Sequence, residues 1–174
     1  SLYYIKFLSN QTIHYVYDPD WAPFEWTNDV NQHTGIIADL LRLIAFKTGV
    51  NLVPIKSLTW AEAIQFAKNR HADMYSGVGI TTDRKKYMNF TDKNIFSTPY
   101  IFVSRHGEDY LKGFRSLKNK KIALVEGYTI HGIMKQNSTK VAVYFYYYYF
   151  FTDVAPNHNV QKLLCSENIT YIII

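Results

Sequence analysis

Between residues 73 and 92 the chain reads DMYSGVGITTDRKKYMNFTD, and this stretch concentrates residue types suited to holding an anion. Gly77 and Gly79 follow the strand-like run Met74-Tyr75-Ser76, and glycine near a strand end lets backbone amides approach a bound group closely. Thr81, Thr82 and Arg84 come next. A hydroxyl and a guanidinium there can complete a pocket for a carboxylate, which arginine grips through a two-pronged fork. The same residues also suit a tight turn followed by a solvated basic helix start, with Arg84, Lys85 and Lys86 as its charged face. Gly127 and Thr129 form a second candidate of the same chemistry, because they precede a helical pattern whose free amides and positive dipole end attract anions. Thr129 equally suits an ordinary N-cap. Trp21, Phe24 and Trp26 cluster beside Pro23. Their flat faces can wall a ligand cleft or cover a cation, or can plug a core.

These residues need elements to position them. Residues 13 to 17, IHYVY, read as a strand rich in aromatic and β-branched side chains that ends at the turn Asp18-Pro19-Asp20. Gly35 precedes a helix whose apolar face is Ile37, Leu40, Leu41 and Ile44, with Gly49 as its stop. A short strand from Asn51 meets Pro54, so it is expected to lie at a sheet edge or to end there. Thr59 and Glu62 have capping-box spacing for a second helix, with Trp60, Ala63, Ile64 and Ala67 on its apolar face. Strand, helix, strand, helix, strand favours a parallel sheet with helices on both faces. Ligands collect outside the carboxyl ends of such strands, so Trp21 to Phe24 and Gly77 to Arg84 are expected to meet at one sheet edge. Tyr100 to Ser104 reads as a strand leaving a first lobe, 1–103, for a second, 104–174. In the second lobe, Lys121 to Val125 is a compact strand, a helix covers Ile130 to Gln136, and another strand starts at Lys140. The rings at 146–151 carry no period. Val160 to Leu164 reads as a helical turn and 169–174 as an apolar strand.

At 174 residues the chain can bury a substantial core as one large domain or two small lobes. A net charge of +5, with no block of like charges and no dense basic stripe, gives nucleic-acid binding no support. There is no P-loop spacing, no zinc spacing and no long apolar run. One cysteine, Cys165, excludes an intrachain disulfide and is tolerated in reducing and oxidising compartments alike. No cofactor or metal is expected.

Five segments in order, YDPDWAPFEW (17–26), GIIADLLRLIAFKTG (35–49), LTWAEAIQFAKNRHADMYSGVGITTDRKKYMNFTD (58–92), STPY (97–100) and KKIALVEGYT (120–129), resemble the periplasmic solute-binding proteins of the polar-amino-acid branch. The resemblance covers residues 12 to 135 and implies an α/β, two-lobed Venus-flytrap fold with an atypical or incomplete second lobe. Its wording is also similar to extracytoplasmic input modules of membrane sensor histidine kinases. It implies that Arg84 pairs with a ligand α-carboxylate, that Gly77 offers backbone to the α-amino group, and that Thr81 sits beside them. Trp21 and Trp60 would sandwich the ligand, with Asp18 just below. Gly127 and Thr129 would close over the carboxylate. Gly79 departs from the pattern, since the resemblance implies Ser or Thr there. The tail from Tyr144 departs more, and Asp153 is its only aspartate.

The resulting expectation is a periplasmic or extracytoplasmic, non-enzymatic module for a small carboxylate-bearing solute, and the sensory input of a membrane histidine kinase. Its partners would be that solute and the remainder of a sensor or a transporter; a dimer is allowed for. The alternatives are the solute-binding component of an ABC-type transporter and a periplasmic dehydratase-like enzyme. The latter would need a general acid, for which Asp18, Asp20 and Glu25 lie nearest the expected mouth. A partner-binding domain with an unused cleft is the third reading.

Overall fold

The computed structural model describes residues 6–97, 99–104, 107, 114–117, 121–125, 127–137, 142–146 and 171–173. They belong to two compact units, Ser1–Val78 and Gly79–Ile174.

The first unit is built on β1 (Thr12–Val16), the middle strand of a parallel sheet. Its aromatic and β-branched residues suit a pleated, buried position, and Tyr15, Val16 and the following Tyr17 are all buried. The chain then makes three short strands that the sequence pattern does not announce. These are β2 (Asp20–Trp21), β3 (Glu25–Thr27) and β4 (His33–Thr34), joined in an antiparallel sheet in that order. Strands of two or three residues are too short for a period to register.

Helix α1 (Ile36–Thr48) starts against this small sheet. Its first amides, from Ile36 and Ile37, donate to the carbonyls of Pro23 and Phe24, at 3.3 and 2.9 Å. Gly35 has φ 114°, and a Cβ there would lie 2.5 Å from the Phe24 carbonyl oxygen, so only glycine fits this junction. The helix ends as expected, with Gly49 left-handed and its N–H bonded to the Ala45 carbonyl. Burial along the helix is narrower than the periodicity implies. Ile37, Ala38 and Leu41 are buried, but Ile44 is 39% exposed. The sheets cover the first turns and leave the last ones to solvent.

β5 (Asn51–Ile55) pairs in parallel with β1, and β6 (Met74–Tyr75) pairs in parallel on the other side. Pro54 does not end β5: it stays in register opposite Tyr15. The strand is at the sheet edge, where a missing N–H removes no ladder bond. Helix α2 (Trp60–Lys68) connects β5 to β6. Thr59 Oγ1 accepts from the Glu62 N–H as the capping box requires, while Glu62 reaches back to the Leu58 N–H at 2.7 Å.

The second unit has one four-stranded sheet, made of β7 (Phe102–Ser104), β8 (Lys121–Val125), β9 (Ala142–Tyr146) and β10 (Tyr171–Ile173). β8 and β9 run parallel. β10 lies between β7 and β8, antiparallel to the first and parallel to the second. Helix α3 (Thr129–Asn137) packs Ile130 and Met134 onto Ile122 and Leu124, with Leu117 completing the core. Full burial of such side chains contributes roughly 1.5–3 kcal/mol each, enough to hold a helix of this length that would be marginal alone. Thr129 proves to be the first residue of α3 and not its cap. The expected turn at Val160 to Leu164, most of the 146–151 ring run, and Asp153 lie outside the described residues.

Candidate functional site

In the first unit, the parallel register sets Val16 beside Tyr75, so the chain leaves β1 and β6 side by side toward Asp18 and Gly77. Both exits are tied to one carboxylate. Glu25, with no exposed surface, accepts the Asp18 N–H on Oε1 at 3.1 Å. Its Oε2 accepts the Ser76 hydroxyl at 2.5 Å and bonds His33 Nε2 at 3.1 Å. Ser76 is further held by its N–H to the Val16 carbonyl.

His33 is clamped on its remaining sides. Its Nδ1 lies 3.0 Å from the Tyr15 hydroxyl, and the Tyr17 ring stacks on it with centroids 4.0 Å apart. Burial, helped by Tyr17 nearby, pushes the Tyr15 phenol up to about 12, so it stays protonated and can donate to Nδ1. The tautomer carrying its proton on Nε2 then satisfies Glu25 and His33 together. This network ties the turn after β1 to the end of β6. The sequence marks Glu25 only as an acid near the expected mouth and Tyr15 only as a strand residue, and nothing in it points to His33. No local signal marks them, since the partners lie eight and fifty-one residues from Glu25.

Asp18 is itself buried, and its Oδ1 accepts the Asp20 N–H. Asp20 is half-buried, which pushes its carboxyl up to about 6. Trp21 lies against Phe24, with ring centroids 4.7 Å apart, on the segment anchored by the start of α1. Trp60 opens α2, is nearly buried, and meets the Tyr75 ring at 5.7 Å. A Cβ on Gly77 would touch the tip of Ile37 at 2.8 Å. Ser57, just past β5, is another residue that sequence reading missed. It is buried, and its hydroxyl has no hydrogen-bond partner among the described residues.

In the second unit, Gly79, Thr81, Arg84, Gly127 and Thr129 come together. The reading of Arg84 to Lys86 as one solvated face does not hold. Arg84 is 6% exposed, whereas Lys85 and Lys86 are exposed. Its Nη1 donates to the Gly79 carbonyl at 2.8 Å and to Thr129 Oγ1 at 3.0 Å, and its Nη2 donates to the Gly127 carbonyl at 2.7 Å. Thr81 Oγ1 accepts the Arg84 N–H, fixing the short 3-10 turn from which the guanidinium projects. Gly127 sits at φ 80°, and its N–H is directed to His131 Nδ1 at 3.3 Å. Gly127 therefore meets Arg84 through its carbonyl, where the sequence suggested an outward amide. This constellation gathers two carbonyl oxygens and a hydroxyl around a buried guanidinium.

A family model for bacterial extracellular solute-binding proteins, family 3, matches residues 13–159. The chain belongs to this family. Among curated relatives it is 26% identical over 119 residues to the sensor protein EvgS of Escherichia coli K12, covering 68% of this chain and 10% of that protein. It is 31% identical over 111 residues to a probable histidine-binding protein of Neisseria gonorrhoeae, covering 63% of this chain and 41% of that one. The chain thus spans less than half the length of either. Among solved structures, the ancestral amino acid-binding protein AncCDT-1, a precursor of cyclohexadienyl dehydratase, superposes with a TM-score of 0.73 at 22% identity. That match covers 97% of this chain and 72% of the ancestral one, and it establishes the Venus-flytrap fold. As a member of this family the chain is an extracytoplasmic solute-binding domain.

Proposed function

We propose that this domain binds a small amino-acid-like solute through its carboxylate, with Arg84 as the anchor. The observation that carries this reading is the buried guanidinium, fixed by its own 3-10 turn and donating three hydrogen bonds to neutral oxygens. These bonds already have a charged donor; a carboxylate in place of a neutral oxygen adds an opposite charge and can take the guanidinium's two-pronged fork. Thr81, Gly127 and Thr129 complete the anchor's surroundings, and Gly79 leaves room for them. On the first unit, Asp18 and Gly77 are assigned to the ammonium end, and the rings of Trp21 and Trp60 to the side chain of the solute. The functional lobes are assigned as 1–103 and 104–174. The role proposed is binding without turnover; of the three candidate acids, Glu25 has both oxygens already bonded.

The domain's place in the cell is proposed to be the input module of a membrane sensor histidine kinase, supported by the match to a sensor protein. The match to a probable histidine-binding protein supports the second reading, a transporter's binding component. A reading frame continuing into a membrane-spanning helix and a kinase module supports the sensor; a free polypeptide end supports the transporter.

Arg84→Ala tests the anchor. A panel of L-arginine, L-histidine and L-glutamine, first screened by thermal shift, is titrated by calorimetry against wild type and variant. Loss of a buried, hydrogen-bonded charge partner costs about 2–5 kcal/mol, seen mainly as faster release. Equal affinity of Arg84→Ala for the amino acid that wild type binds removes the anchor from this reading.

A further inference from the structure

Glycine at position 79 has a structural consequence beyond its backbone freedom. A Cβ built there would lie 2.2 Å from Thr129 Oγ1, 3.0 Å from its Cβ and 3.1 Å from its Cγ2. Three atoms of one side chain therefore occupy the space that a residue-79 side chain would need. Thr129 cannot easily yield: it is β-branched, stands at the first position of α3, and its hydroxyl is held by Arg84. The same Nη1 that binds this hydroxyl also binds the Gly79 carbonyl. The guanidinium thus bridges the two residues whose side chains exclude each other.

We propose that Gly79 and Thr129 form a matched pair that determines which segment supplies the hydroxyl beside Arg84. Because residue 79 has no side chain, the hydroxyl comes from α3, and the pair sets how closely the start of α3 approaches the 79–84 segment. Solute recognition at this site is then coupled to that approach: a carboxylate held by Arg84 takes its hydroxyl contact from Thr129 and is gripped only while α3 is seated. This part rests on the Arg84 reading above; the steric pairing itself does not. The glycine of α3 itself, one turn on from Thr129, makes no such demand. A Cβ at Gly132 would meet Thr81 Cγ2 at 3.6 Å, an ordinary contact, so Gly132→Ala serves as the control.

The experiment compares wild type, Gly79→Ser, Thr129→Gly, the exchanged double variant Gly79→Ser/Thr129→Gly, and Gly132→Ala. Two measurements are made on each: amide hydrogen exchange of the peptide spanning 127–133 without solute, and calorimetric affinity for L-arginine, L-histidine and L-glutamine. Overpacking at 79 is expected to speed exchange in that peptide and to weaken binding, each by about tenfold or more. The exchanged variant returns both to within about threefold of wild type, because the hydroxyl is restored from the other side and the clash is gone. Gly132→Ala changes neither. If Gly79→Ser does not fold, recovery of a folded protein in the exchanged variant carries the same meaning. The proposal is overturned if Gly79→Ser matches wild type in exchange, or if the exchanged variant is no better than Gly79→Ser. Should wild type bind none of the three amino acids, the solute reading fails, while the exchange measurements still decide the pairing.

Discussion

Replacing Glu25 should be among the most damaging single changes in the first unit, and the structure indicates by how much. Glu25→Ala leaves the Asp18 N–H, the Ser76 hydroxyl and His33 Nε2 without the acceptor they share, all in a buried setting. Each orphaned buried donor costs roughly 1–3 kcal/mol, but the three do not add fully, because Ser76 and His33 can reorient. A loss of about 3–5 kcal/mol is therefore expected, comparable to removing one member of a buried charged pair. Against the roughly 5–15 kcal/mol of a typical domain, that is about a fifth or more of the total. Glu25→Gln should be milder, about 1–2 kcal/mol, for a specific reason. The Gln oxygen can keep the Asp18 N–H, while its NH₂ can donate to Ser76 or to His33 in the other tautomer, with Nδ1–H then donating to the Tyr15 hydroxyl. Urea unfolding followed by far-UV circular dichroism measures both. Glu25→Ala within about 1 kcal/mol of wild type, or Glu25→Gln as damaging as Glu25→Ala, would falsify the network as described.

Asp20→Asn should stabilise the protein in a pH-dependent manner. The Asp20 carboxyl titrates near 6 in the folded state against an ordinary 3.8, so the unfolded chain ionises first and stability falls as pH rises between those values. The variant's melting temperature should therefore match wild type below about pH 4 and exceed it modestly above about pH 6, since solvent screens a half-exposed group. A difference that is the same at both ends, or reversed, refutes the assignment. Gly35→Ala should cost at least about 2 kcal/mol in urea unfolding, because φ 114° and a Cβ 2.5 Å from the Phe24 carbonyl oxygen leave no relaxed position for a methyl group. An effect below about 0.5 kcal/mol would mean the junction between α1 and the 23–25 turn can move without strain.

The features that the sequence determined by itself are those written within a turn or two of chain. Gly49 as a left-handed stop, Thr59 with Glu62 at a helix start, and the apolar spacing of α1 and α2 all depend on residues three or four apart. The strand-helix alternation likewise implied the parallel pairing of β1 with β5 and β6. Five ordered segments sufficed for the family. The small antiparallel sheet β2-β3-β4 was not legible, because two- and three-residue strands carry no period. Nor was the insertion of β10 between β7 and β8, since an apolar strand does not say which edge it will enter.

Only the tertiary structure decided what each candidate side chain touches. Three consecutive basic residues, Arg84, Lys85 and Lys86, read alike in one dimension, yet one is buried and two are solvated because the 3-10 turn points them differently. Glu25 became the tie between two strand exits, and Gly79 the space for a threonine fifty residues away, through contacts that strand register and helix placement create. Chain-local preferences cannot encode such meetings, because their energy exists only once distant segments have been brought to within a hydrogen bond's length.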